Sequence, residues 1–211
     1  MVSVIIRNRN EADYIGFAIQ SVIDSIPEAE IIILDNNSTD DSLDVVKLFN
    51  NRIDIRIFKI NDYSPGKALN LGFEIAKYDC VLVLSAHAQI TKLNLTELYE
   101  NLKSNVAVFG NQVPIYKGKK INKRYIWSHF GNEKVTNMYS QIEDRLFLHN
   151  AFCFYDRQFV LEHKFDETLP GKEDRYWAQY INKLNLTYLY NPNFEVNHYY
   201  TSNGATWKGI G

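Results

Sequence analysis

Polar residues able to bind an anion or move a proton gather where apolar runs stop. Cys80 to Leu84 is unbroken apolar sequence ending at Ser85, Ala86 and His87, the pattern of a strand buried on both faces that ends at a site. The run from Val2 to Ile6 gives way to Arg7, Asn8, Arg9 and Asn10, and the run ending at Leu34 gives way to Asp35 and Asn36. Two arginines at a strand end suit an anionic ligand as well as a solvated turn. A carboxylate at Asp35 can accept from a base N–H or a ribose hydroxyl. Lys67 falls in the first turn of a helix opened by Ser64 and Pro65, where a cation opposes the helix dipole unless an anion is near, so it is a phosphate-contact candidate. Farther along, Glu173 and Asp174 stand in the first turn of another helix, and His198 ends a strand. As helix-start residues the two carboxylates are ordinary, and a lone histidine is more often structural than catalytic. His87 and His198 are candidate imidazole ligands for a divalent ion, Mn²⁺ or Mg²⁺, although hard ions prefer oxygen.

These residues need elements to hold them. Apolar runs at Val2–Ile6, Glu30–Leu34, Ile53–Ile57 and Cys80–Leu84 alternate with helical patterns, which predicts an α/β fold, a mostly parallel central sheet flanked by helices. In such sheets ligands sit outside the carboxyl ends of the strands. Asn10 is the expected cap of the first helix, with Glu11 and Asp13 in its first turn. Gly72 is expected to let its helix pack closely on the sheet. After the central strand the pattern predicts a helix from Asn94 to Leu102 and a strand from Val106 to Val113. Residues 114–133, with KGKKINKRY, are expected to be a basic loop too polar for core structure. Leu146 to Tyr155 reads as one strand interrupted by His149 and Asn150. Trp177, Tyr180, Ile181 and Leu184 mark one side of the helix that starts at Glu173, and strands are expected at Thr187–Tyr190 and Phe194–Asn197. The tail from Ser202 to Gly211 has too little pattern to assign.

Length and composition point to one domain, residues 1–211. The chain has 45% apolar and 23% charged residues, ordinary for a globular protein. A net charge of −2 carries no basic excess of the kind nucleic-acid binders show. Its two cysteines make no disulfide framework and fit a reducing compartment. With a strand at Val2 there is no room for a signal peptide, and no apolar run approaches the ~20 residues of a membrane span. The expected setting is cytoplasmic.

Taken together, the series VSVIIRNRNEADYI, IIILDNNSTDDS, SPGKALNLGFEIAKYDCVLVLSAHA, HNAFCFYDRQ and LPGKEDRYWA resembles the family 2 glycosyltransferases of the GT-A fold. It looks closest to their bacterial rhamnosyltransferase-like branch. The resemblance implies that residues 1–113 bind a nucleotide-diphospho-sugar, with Arg7, Asn8, Asp35 and Asn36 near base and ribose. It implies that Ser85, Ala86 and His87 occupy the place of an Asp-x-Asp motif that meets diphosphate and divalent metal. Both aspartates are replaced here, which puts the metal in question. Arg7, Arg9, Lys67 and a protonated His87 offer a second way to neutralise the diphosphate. Residues 114–211 become the acceptor side. Asp174 corresponds to the general base of inverting members, Glu173 to a residue that orients the acceptor or holds the loop, and Asn150 to one lining the donor-sugar or acceptor cleft. Trp177 fits a wall of the sugar pocket or the core equally.

The implied activity is sugar transfer, dTDP-rhamnose or a UDP-sugar being the named donors, to a glycan or lipid-linked acceptor of a bacterial surface polysaccharide. Peripheral contact at the inner face of the cytoplasmic membrane would suit such an acceptor, and the basic loop suits an anionic surface. A sugar-phosphate nucleotidyltransferase ranks lower, because the glycine-rich loop it needs after the first strand is replaced by Arg7 to Asn10. A non-catalytic nucleotide- or glycan-binding module has only the missing aspartates in its favour.

Overall fold

The computed structural model describes residues 1–123, 125–202 and 204. The predicted alternation holds through the first half: β1 (Val2–Asn8), α1 (Ile15–Ser25), β2 (Glu30–Asp35), α2 (Ser42–Lys47), β3 (Asp54–Lys59), α3 (Pro65–Ile75) and β4 (Cys80–Ser85). There follow β5 (Ala88–Lys92), α4 (Leu95–Leu102), β6 (Ala107–Tyr116) and β7 (Lys119–Lys120). A 3₁₀ turn, Tyr125–His129, leads to the short strands β8 (Val135–Thr136), β9 (Tyr139–Ser140) and β10 (Arg145–Leu146). The chain then forms β11 (Phe152–Asp156), α5 (Arg157–Glu162), α6 (Glu173–Lys183) and β12 (Tyr188–Tyr199).

The main sheet runs β3-β2-β1-β4-β11-β6-β12-β5. It is parallel from β3 to β4 and again between β6 and β12, while β11 and β5 run antiparallel to their neighbours. Alternate strand residues feed opposite faces. Ile5, Ile32, Val81 and Val83 join a core with α3, α5 and α6, and Val4, Ile6, Ile31, Leu82 and Leu84 join one with α1, α2 and α4. Gly72 is where α3 meets the sheet: a Cβ there would lie 2.7 Å from Ile5 Cδ1, so the close packing expected of this glycine is present.

Several boundaries differ from expectation for physical reasons. Asn10 is not the cap of α1; its backbone is left-handed (φ 55°) and its Oδ1 accepts from Thr39 N–H at 2.7 Å, tying two loops together. Strand β5 went unpredicted because its Ala88–Lys92 pattern is short. Residues 114–133 are not wholly loop: β6 continues to Tyr116, and Trp127 in the 3₁₀ turn and Phe130 just after it are buried in the core. His149 and Asn150 lie in a turn before β11 rather than within a strand. The two strands expected at the end are one, β12, which carries a bulge between Asn191 and Glu195 and so absorbs Pro192 without losing its course. Ser64 caps α3 as expected, accepting from Lys67 N–H at 3.2 Å. Of the tail from Ser202 to Gly211, residues 203 and 205–211 lie outside the described residues.

Candidate active site

The parallel register aligns the strand ends. Arg7 pairs with Leu34 on one side and Ser85 on the other, and Asn8 stands beside Asp35. Because β11 runs antiparallel to β4, its leading turn arrives at the same end, where Ser85 N–H donates to Ala151 O at 3.0 Å. The N-terminus of α6 closes the far side. Between these elements lies a cleft of about 980 Å³, within the range of small-molecule sites.

The cleft brings together Arg7, Asn8, Asn36, Ser85, Ala86, His87, Asn150, Glu173 and Asp174, with Arg9 beside them. Other candidates lie off its lining. Asp35 is fully buried, accepting from Asn8 Nδ2 at 2.9 Å and Ser38 Oγ at 2.6 Å, so it holds the loop that presents Asn36. Lys67 pairs with Asp62 at 3.0 Å. Trp177 packs in the core and donates from Nε1 to His163 O at 2.7 Å.

The two carboxylates at the head of α6 are adjacent and differently treated. Glu173 Oε1 accepts from Arg7 Nη1 at 2.7 Å and Asn150 Nδ2 at 3.3 Å. Burial pushes its pKa up, but the Arg7 cation outweighs this and holds the group below the usual glutamate value. Asp174 Oδ2 accepts from Asn150 N–H at 3.0 Å and Arg175 Nη1 at 2.8 Å, and Oδ1 from Arg175 N–H at 2.9 Å. Here burial dominates; despite Arg175, and helped by the Glu173 charge, the pKa is raised. Nearby, His149 Nδ1 accepts from Ala151 N–H at 3.1 Å, and burial together with Arg175 and Arg7 pushes its pKa well below the ordinary imidazole value, keeping the ring neutral.

His87 and His198 lie ring against ring, centroids 4.8 Å apart and planes at 28°. Each Nδ1 is engaged, His87 with Glu11 Oε1 at 3.2 Å and His198 with Gln112 Oε1 at 2.8 Å. Among the described residues no group of three or more His, Cys, Asp or Glu is placed to hold a metal ion. Stacked imidazoles already bonded elsewhere do not fit the oxygen-rich set that Mn²⁺ or Mg²⁺ takes, so no step below is routed through an ion.

Among the cleft's charged residues, Glu11, Glu143, Lys172 and Arg175 escaped the site assignments. Arg175 had a usable signal. It is a cation in the first turn of a helix, the same argument applied to Lys67. Glu11 was read as a helix-start residue, whereas α1 begins later and its side chain turns to His87. Glu143 had no local signal, since only the fold carries the β9–β10 turn to α6.

The fold is that of the GT-A glycosyltransferases. Residues 3–169 match glycosyl transferase family 2, and the chain belongs to that family. The match stops short of Glu173 and Asp174. A protein named uncharacterized glycosyltransferase alr2836, from Nostoc sp., is 38% identical over 88 residues, 40% of this chain and 27% of its own length. Among solved structures, S. aureus TarS 1–349 in complex with UDP-GlcNAc superposes with a TM-score of 0.74 at 19% identity, over 100% of this chain and 61% of that one. Its complex with UDP gives 0.71 at 20% identity, over 95% and 60%. At such identities the likeness is one of fold. The chain therefore spans about a quarter to three fifths of the length of these relatives. Among the described residues no helix is long and apolar enough to cross a membrane.

Proposed function

We propose that this chain is an inverting glycosyltransferase that uses a nucleotide-diphosphate sugar, with Asp174 as general base. The observation that carries the reading is the placement of Asp174: buried, yet on the wall of a cleft that also holds the strand-end cations, with its pKa raised above the ordinary 3.8. Among the described residues, Asp174 Oδ1 accepts only the Arg175 N–H, which leaves it a lone pair for an acceptor hydroxyl.

The chemistry follows from that geometry. Asp174 takes the hydroxyl proton while the oxygen forms its bond to the anomeric carbon; the bond from that carbon to the diphosphate breaks, and the electron pair leaves with the nucleotide. A single displacement inverts the anomeric centre. General-base help of this kind is worth about 10²–10⁴ in rate. Charge grows on the departing diphosphate, and Arg9 in the cleft and His87 just past β4 are the groups placed to offset it. Arg7 is committed to Glu173 and braces α6 against β1.

The TarS complex with UDP-GlcNAc supports trying UDP-sugars alongside dTDP-rhamnose as donor. A glycan or lipid-linked acceptor is supported by the exposed Lys117, Lys119 and Lys120 of the β6–β7 hairpin, which suit an anionic surface. The test is donor turnover by wild type and Asp174→Asn, with the product's anomeric configuration read by NMR. The reading requires an inverted product and a fall of about 10²–10⁴ in the variant, with nucleotide binding kept. A retained configuration, or unchanged turnover, removes Asp174 as base.

A further inference from the structure

Asp174 stands against a guanidinium, Arg175 Nη1 lying 2.8 Å from it. A buried carboxylate on a guanidinium of its own is normally a poor base, since the cation stabilises the charged form. Arg175, however, is shared. Its Nη2 donates to Glu143 Oε1 at 3.3 Å, and Lys172 Nζ lies 3.5 Å from Glu143 Oε2. The guanidinium cannot swing wholly to either side, because Nη1 also donates to Leu148 O at 2.9 Å and the group sits 4.3 Å over the Phe147 ring. Glu143 is itself fixed, its N–H donating to Ser140 Oγ at 2.9 Å in the β9–β10 turn.

We propose that Glu143 is a positioning residue for the base: by engaging Arg175 Nη2 and Lys172 Nζ it draws their charge toward the β9–β10 turn and leaves Asp174 able to accept a proton. This rests on the reading of Asp174 as base. Among the described residues no hydrogen bond or ion pair joins the β9–β10 turn to Asp174 directly; the connection runs through Arg175. The two carboxylates on that guanidinium shift in opposite directions, Asp174 chiefly through burial and Glu143 through its two cations. Burial pushes both up, but Arg175 and Lys172 bring Glu143 below its usual value while Asp174 stays above its own. The other groups facing Asp174 are Glu173 on its own helix, Arg7 from β1, and Cys153 and Tyr155 from β11; Arg145 faces Glu143 at 4.0 Å.

The test reads Asp174 without needing a substrate. The protein is labelled with ¹³C at aspartate Cγ, the Asp174 signal is identified by its loss in Asp174→Asn, and its titration is followed in wild type, Glu143→Gln and Glu143→Asp. In Glu143→Gln the Arg175 charge falls on Asp174 alone, so the midpoint drops by about one pH unit, the scale of one charge changed beside a buried carboxylate. Glu143→Asp keeps the charge at shorter reach and falls between. A midpoint that stays put or rises in Glu143→Gln overturns the proposal, as does an equal drop in Ser140→Ala, which loosens the turn by removing the Glu143 N–H acceptor but keeps the Glu143 charge. If Glu143→Gln does not fold, Glu143→Asp decides by the same criterion: a lower midpoint supports the coupling, an unchanged one ends it. Donor turnover by Asp174→Asn is scored separately, so loss of the base reading and loss of the Glu143 coupling are distinguishable.

Discussion

Two glutamates, each paired with an arginine, stand at opposite ends of the parallel strands. At the amino end Glu30 accepts from Arg56 Nη2, Ser3 Oγ and Lys77 N–H, each at 2.6 Å, and Arg56 turns its remaining reach to Ile75 O at 2.7 Å. At the carboxyl end Glu173 accepts from Arg7 at 2.7 Å and more loosely from Asn150 at 3.3 Å, and it faces the cleft. Both glutamates are held below their ordinary pKa against the opposing effect of burial. The ionic chemistry is the same, and the difference lies in what surrounds it. Around Glu30 the donors come from the strands on either side and from the residue just past α3, so the pair closes the sheet. Around Glu173 they come from the two sides of a cavity, so the pair joins the walls of a site.

That contrast is breakable by mutation, because the two pairs should fail in different ways. Glu30→Ala strands Arg56 and leaves Ser3 Oγ and Lys77 N–H without their acceptor, and is expected to cost about 3 kcal/mol in chemical denaturation. Nucleotide binding by the folded fraction should be unchanged. Arg7→Met should cost less in stability, about 2 kcal/mol, since Arg7 keeps 22% of its side chain exposed while Glu173 keeps 6%. Its larger effect is on function: with α6 no longer braced on β1, donor turnover should fall more than stability does. Equal stability losses and equal turnover in the two variants would erase the distinction. The smallest change, His87→Ala, removes a cleft group outside both pairs and should weaken nucleotide-diphosphate binding roughly 10-fold with little change in stability. Binding equal to wild type by calorimetry would return His87 to a packing role against His198.

Residues 1–113 were legible in the sequence because their signals are local. Cys80 to Leu84 is apolar at every position because both sheet faces are covered, and Ser64-Pro65 opens α3 through capping and a fixed backbone angle. Residues at the ends of such strands point to a site by position alone, which is how Arg7, Asn36 and His87 were found. Residues 114–211 were less legible because their part of the cleft is assembled from distant pieces. Trp127 and Phe130 follow directly on a lysine-rich stretch yet fill the core, and His149 and Asn150 stand in the turn that leads into β11, antiparallel to β4. Asp35 shows the opposite failure: it has the right position, but Asn8 and Ser38 consume its carboxylate. Glu143 reaches Arg175 only through the tertiary fold, and no spacing in the chain announces it.

The most direct measurement is calorimetric titration of the protein with UDP, dTDP, GDP and CMP, repeated on Arg7→Met and Glu30→Gln. The account predicts that one nucleotide binds in preference to the rest, that Arg7→Met weakens that binding, and that Glu30→Gln leaves it intact. Failure of a folded sample to bind any of the four, or equal weakening by both variants, would contradict a nucleotide-sugar site at this cleft.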